Sequence, residues 1–229
     1  MIAPLFYVTG TNTGVGKTTL ATLLLARARE RDLSVAAMKP FCSGGRDDAE
    51  QLHALQSAGL SLDEVNPFYF DEPISPYVAA LNQKRTVTLA ETLAAIRTIQ
   101  SRRFPILIEG AGGLLSPLGE KFTFLDIVHE LPGNICIVGT NSLGVINAAL
   151  LTHRAFENIE ASCEKFVLMN PPQPDASTSS NPRVIADWTG VETHEFPHLP
   201  GDTRKTLTPT ATNVLDSLLN WWLASQRPI

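Results

Sequence analysis

The segment Gly10-Thr11-Asn12-Thr13-Gly14-Val15-Gly16-Lys17-Thr18-Thr19 constrains this chain more than any other stretch. It follows a short apolar run, Leu5–Val8, and opens a periodic segment, Lys17–Glu30, with Leu20, Leu23, Leu24 and Ala28 on one face. A glycine-rich turn that feeds a helix aims backbone N–H groups at an anion, and the helix dipole adds to the attraction. Lys17 supplies a mobile cation for β- and γ-phosphates, and the Thr18 hydroxyl suits Mg²⁺. In the common pattern Gly-x-x-x-x-Gly-Lys-Thr the first glycine would stand at position 11. Here it stands at Gly10 and Thr11 takes its place, so the loop is a variant.

The rest of the chain alternates short apolar runs with helical segments. Strands are expected at Ser34–Met38, Pro105–Ile108, Asn134–Val138, Lys165–Met169 and Glu192–Phe196. Helices are expected at Asp47–Ala58, Leu89–Gln100, Val145–Asn158, Arg183–Thr189 and Ala211–Ala224. Asn66–Tyr77, with its prolines and aromatics, reads as an irregular, ordered crossing, and Pro172–Asn181 as a polar surface loop. Such alternation predicts an α/β fold, a P-loop NTPase-like, mostly parallel sheet with helices on both faces. Its length of 229 residues suits a single domain, residues 1–229.

A parallel sheet gathers ligands at the carboxyl ends of its strands. Gly10, Lys39, Glu109, Gly139 and Asn170 all fall there. Glu109 closes the run Ile106-Leu107-Ile108 and would lie beside the phosphate loop, where a carboxylate can hold Mg²⁺. Asp48 is a second candidate, although Asp47 and Asp48 could equally cap their helix. Lys39, in Lys39-Pro40-Phe41-Cys42-Ser43-Gly44, would face the γ-phosphate if its strand neighbours the first, and Ser43 could bond a substrate. Strand Lys165–Met169 ends in Asn170-Pro171-Pro172, not in the Asn-Lys-x-Asp of a guanine-reading loop. That favours adenine, with the Asn170 amide on the base edge, beside the alternative of a turn residue ahead of two prolines.

Composition excludes several classes. A net charge of −5 argues against a general nucleic-acid binder. The apolar runs are too short to span a bilayer, and the N-terminus has no basic n-region, so neither membrane segment nor signal peptide is expected. Three unpatterned cysteines, Cys42, Cys136 and Cys163, suggest a reducing compartment. Asp126 reads as a helix cap near Thr123. Trp221 and Trp222, with Val214, Leu215, Leu218 and Leu219, read as a packing stripe.

Taken in order, Gly-Thr-x-Thr-x-Val-Gly-Lys-Thr, Lys-Pro-x-x-Ser-Gly, Glu72-Pro73-Ile74-Ser75-Pro76 and Glu109-Gly110-Ala111-Gly112-Gly113 form a specific set. With Leu143-Gly144-Val145-Ile146-Asn147 after the strand Ile135–Val138, they resemble the ATP-dependent dethiobiotin synthetases over nearly the whole chain. The resemblance implies a cytoplasmic, homodimeric ligase of biotin synthesis that uses ATP and Mg²⁺. Its substrates would be 7,8-diaminopelargonate and CO2, joined through a carbamate and a carbamic-phosphoric anhydride. It implies that Thr13, Lys17, Lys39 and Ser43 surround carbamate and phosphate. Thr18, Asp48 and Glu109 would hold Mg²⁺, with the match able to slip by one to Asp47. Gly14, Val15, Gly16, Thr18 and Thr19, with Gly110, Ala111 and Gly112, would lie along the nucleotide phosphates. Asn170, Pro171, Pro197, His198 and Leu199 would grip adenine. Leu143, Gly144, Val145, Ile146 and Asn147 would meet the substrate carboxylate across the dimer.

Two rivals share the sheet. A partitioning or septum-positioning ATPase would carry an extra lysine where Thr11 and Asn12 stand. A corrinoid-type amide synthase would bring a glutaminase domain, for which this length leaves no room.

Overall fold

The computed structural model describes residues 3–156, 163–200 and 207–224. In chain order the strands are β1 (Leu5–Gly10), β2 (Ala36–Met38), β3 (Phe41–Ser43), β4 (Phe68–Phe70), β5 (Ile106–Glu109), β6 (Pro117–Gly119), β7 (Phe122–Thr123), β8 (Asn134–Thr140), β9 (Cys163–Met169) and β10 (Thr193–Phe196). The helices are α1 (Lys17–Glu30), α2 (Asp47–Leu55), α3 (Leu62–Val65), α4 (Pro76–Asn82), α5 (Leu89–Gln100), α6 (Phe124–Glu130), α7 (Val145–Arg154), α8 (Asn181–Thr189) and α9 (Pro209–Ala224).

Six strands form one sheet in the order β10-β9-β8-β1-β5-β2, every neighbouring pair parallel. β1 lies in the interior because all six of its residues are buried, as a strand covered on both faces requires. Its alternating side chains show what covers it. Phe6 meets Trp222 of α9 at 5.1 Å between ring centroids, whereas Tyr7 meets Phe124 of α6 at 5.7 Å on the other face. Helices therefore cover both faces, as expected. The stripe on α9 is a packing face: Trp222 is buried and its indole N–H donates to the Pro4 carbonyl. Asp126 caps α6 as expected, accepting from the Thr123 amide and hydroxyl.

The segment Asn66–Tyr77 is ordered, as expected, but more regular than the reading allowed. Phe68–Phe70 forms β4, which pairs in parallel with β3, and Pro76 opens α4. Phe41 and Phe68 stack at 4.8 Å across this small sheet. Gly44 clamps it, its backbone at φ 81° running so close to Pro73 that a Cβ would sit 2.4 Å from the proline ring. The Lys-Pro-x-x-Ser-Gly and Glu-Pro-x-Ser-Pro stretches are thus locked together. α7 stops at Arg154; residues 157 and 158 of the expected helix lie outside the described residues.

Candidate active site

The carboxyl ends of β1, β2 and β5 converge on one cleft of about 390 Å³. β2 does not neighbour β1, the condition set for Lys39 above, because β5 lies between them. Register still brings the ends together: Val8 of β1 pairs with Glu109 of β5, and Met38 of β2 pairs with Ile108. Proline has no N–H to extend a ladder, so β2 ends just before Lys39-Pro40. The Lys39 amide instead donates to the Val65 carbonyl, and Asn66 Nδ2 donates to the Lys39 carbonyl. These bonds turn the Lys39 side chain into the cleft.

The phosphate loop has the form its glycines allow. Gly16 precedes α1 at φ 98°, and no side chain caps the helix start. A Cβ on Gly10 would meet Val15 at 2.8 Å and the Asn12 carbonyl at 2.9 Å. Lys17 curls over the loop, its Nζ donating to the Asn12 carbonyl at 3.0 Å. Burial and then the neighbouring Lys39 charge lower its pKa to about 8.

Lys39 joins the two carboxylates. Its Nζ lies 3.0 Å from Asp48 Oδ2 and makes a short ion pair with Glu109 Oε1. Burial opposes its charge, but Glu109 and Asp48 outweigh that and raise its pKa. Lys39 is only 4% exposed and Glu109 wholly buried. The Thr18 hydroxyl donates to the same Glu109 Oε1 at 2.6 Å. Glu109 Oε2 meets no hydrogen-bond partner among the described residues, although it is buried. An orphaned carboxylate oxygen beside a threonine hydroxyl and a half-exposed aspartate is a hard-oxygen set that fits Mg²⁺. Asp48, not Asp47, lines this cleft.

Of the residues singled out from sequence, Thr13, Gly14, Gly16, Lys17, Thr18, Thr19, Lys39, Asp48, Glu109 and Gly112 line the cleft together. Val15 is buried behind the loop. Ser43, Gly110 and Ala111 are not on the cleft wall. A neighbouring hollow of about 220 Å³ is formed by Thr19, Met169, Asn170, Phe196, Pro197, His198 and Leu199. Thr19 borders both, so the two lie side by side. Pro171 is not on its wall. Sequence reasoning missed Met169 and Phe196, apolar strand ends that read only as core.

On the other side of the phosphate loop a third hollow, about 410 Å³, is lined by Thr11, Asn12, Gly113, Ser116, Asn147 and Leu151 among others. Asn147 alone of the Leu143–Asn147 stretch borders it. Leu143 is 85% exposed, and its amide already donates to Asp175 Oδ2 at 2.8 Å. Cys42 is a buried thiol whose pKa burial pushes up to about 11, so it is inert at neutral pH.

The arrangement can hold a polyphosphate on the loop, neutralise it with two lysines, and seat a flat group near Asn170. A family model described as an AAA domain matches residues 5–200. ATP-dependent dethiobiotin synthetase BioD of Bacillus licheniformis is 35% identical over 192 residues, covering 81% of this chain and 82% of that protein. The protein of the same name from an Anaeromyxobacter species is 36% identical, over 81% and 86%. Among solved structures, the MinC:MinD cell division protein complex of Aquifex aeolicus aligns with a TM-score of 0.62, covering 99% of this chain and 98% of that one. At 13% identity that likeness carries the P-loop NTPase fold alone. Identity sustained over four fifths of both sequences decides the matter: this chain belongs to the ATP-dependent dethiobiotin synthetase family.

Proposed function

We propose that this chain, working as one domain over residues 1–229, is a cytoplasmic, Mg²⁺- and ATP-dependent ligase that closes the ureido ring of dethiobiotin. The reaction joins 7,8-diaminopelargonate and CO2 with cleavage of ATP to ADP and phosphate. One amine adds to CO2 and loses a proton, giving a carbamate. A carbamate oxygen attacks the γ-phosphorus as the bond to ADP breaks. The second amine then attacks the carbamoyl carbon of the mixed anhydride and expels phosphate.

Both reactants of the phosphoryl transfer are anions, so the barrier is largely their repulsion. The observation that carries the reading is the buried Lys39 ammonium at the lip of the phosphate loop, beside Lys17. Lys17 draws charge from the transferring phosphoryl oxygens and Lys39 from the carbamate, in a site where burial strengthens both effects. Thr13, on the cleft wall, orients the carbamate. Thr18, Asp48 and Glu109 would hold the Mg²⁺ ion, which supplies charge neutralisation at the β- and γ-phosphates. Asn170, Pro197, His198 and Leu199 take the adenine. Leu143, Gly144, Val145, Ile146 and Asn147 meet the substrate carboxylate from a second copy of the chain, and the exposed Leu143 and Leu151 suit such a contact.

The test is phosphate release with the diamine, bicarbonate, Mg²⁺ and ATP. Release that needs both the diamine and bicarbonate supports the reading. Release indifferent to the diamine, or none at all, overturns it.

A further inference from the structure

Around Asn170 the structure holds a chain of three carboxamides whose directions are all dictated. Asn141 lies wholly buried behind it. The Asn141 Nδ2 donates to the Thr178 carbonyl at 3.1 Å and to Asn170 Oδ1 at 2.8 Å. Asn141 Oδ1 accepts from Asn181 Nδ2 at 3.0 Å. On the far side, Asn170 Nδ2 donates to Glu195 Oε1 at 2.7 Å. A carbonyl and a carboxylate can only accept, so they leave no freedom in which way the amides point. Reversing Asn170 would set its NH₂ against the NH₂ of Asn141, and its oxygen against the Glu195 carboxylate.

Each amide end keeps spare capacity. Asn170 Oδ1 retains one lone pair and Nδ2 one hydrogen. Asn170 also lines the 220 Å³ hollow next to the phosphate loop. We propose that Glu195 and Asn141 are positioning residues that lock the Asn170 amide in the sense matching a 6-aminopurine, and so make the site reject 6-oxopurines. The inference rests on the adenine reading above. A 6-amino group donates to Oδ1 while the adjacent ring nitrogen accepts from Nδ2. A 6-oxo group in the same pose meets Oδ1 lone pair to lone pair. An amide free to turn would serve both bases, because Asn carries a donor and an acceptor side by side.

ADP and IDP provide the probe, since they differ at the purine 6-position and its adjacent N1 hydrogen but share ribose and phosphates. Calorimetric titration of the full chain, with Mg²⁺ present, gives the ratio of their affinities. Wild type is expected to prefer ADP. Glu195→Gln, whose amide can accept or donate, is expected to lose about tenfold of that preference, the scale of one mismatched hydrogen bond. Its affinity for inorganic tripolyphosphate should match wild type, which a general loosening of the site would not allow. Glu195→Leu, which can hold neither sense, should lose the preference as well. An unchanged ADP-to-IDP ratio in both variants overturns the lock. Wild type that binds both nucleotides equally also overturns it while sparing the ligase reading; wild type that binds neither sinks both.

Discussion

Removing the Lys39 ammonium strands a charge. Glu109 is wholly buried and takes one oxygen's bonds from Lys39 and Thr18. Lys39→Ala is therefore expected to act twice. Turnover falls about a hundredfold or more, because a cation aimed at the transferring group is gone. Stability falls too, by about 3–5 kcal/mol, because a buried carboxylate has lost its partner. Adding Glu109→Gln to Lys39→Ala removes the stranded charge, so melting temperature recovers while turnover does not. Turnover that recovers along with melting temperature would show that the pair is merely structural, and a melting temperature that stays low would rule out the stranded charge as the cause. Residue by residue, the site was legible wherever a side chain announces its chemistry at a strand end, as Lys39, Glu109 and Asn170 do. Glu195 and Asn141 were not, because their roles exist only through partners on other elements. Ser43 marks the limit of that signal: its type suits a substrate, but it is not on the cleft wall.

Among the elements, α1 and α5 keep the bounds read from their periodicity, Lys17–Glu30 and Leu89–Gln100. Long helical runs state their own limits, and Thr88 with Glu91 adds a capping box at the start of α5. β3 and β4 have three residues each, too few for a period to emerge, and they exist because their backbones and Phe rings meet. The loop ahead of α7 was legible in its residues but not in its support. Asp175 supplies that support, accepting from the Leu143 amide and from the Ser177 amide and hydroxyl. The Ser177 hydroxyl first, then the Leu143 amide, hold its carboxyl down at about 2 from an ordinary 3.8. A depressed carboxyl pKa stabilises the ordered form above the unfolded value, and the benefit disappears as pH falls through the folded value. Order in this loop is thus expected to persist below pH 3.8 and to fail near pH 2. Carboxyl-carbon NMR of Asp175 checks it, and a midpoint close to 3.8 would remove the assigned bonds. Asp175→Ala should speed solvent exchange of the Leu143 amide at neutral pH while leaving that of the Phe6–Val8 amides unchanged.

For the molecule as a whole, the buried sheet was visible in unbroken apolar runs such as Ile106-Leu107-Ile108, but the strand order was not, since the outermost β2 is as fully buried as β1. Nor was what lies beyond one chain. Leu143, Leu115 and Leu151 stand 85%, 60% and 62% exposed. If a second copy covers Leu143, sedimentation at micromolar concentration gives the mass of two chains, and Leu143→Glu shifts it to one. A wild type that sediments as one chain at those concentrations would rule out the proposed pairing. The six-stranded order has one more implication. β1 is bracketed on both sides, whereas β2 and β10 are the outermost strands. Warming frays a sheet from its margins. Lys39 hangs on one margin and Pro197-His198-Leu199 on the other, but the phosphate loop springs from the middle. A half-thawed molecule would still present the phosphate loop after the hollow beside Asn170 had come apart.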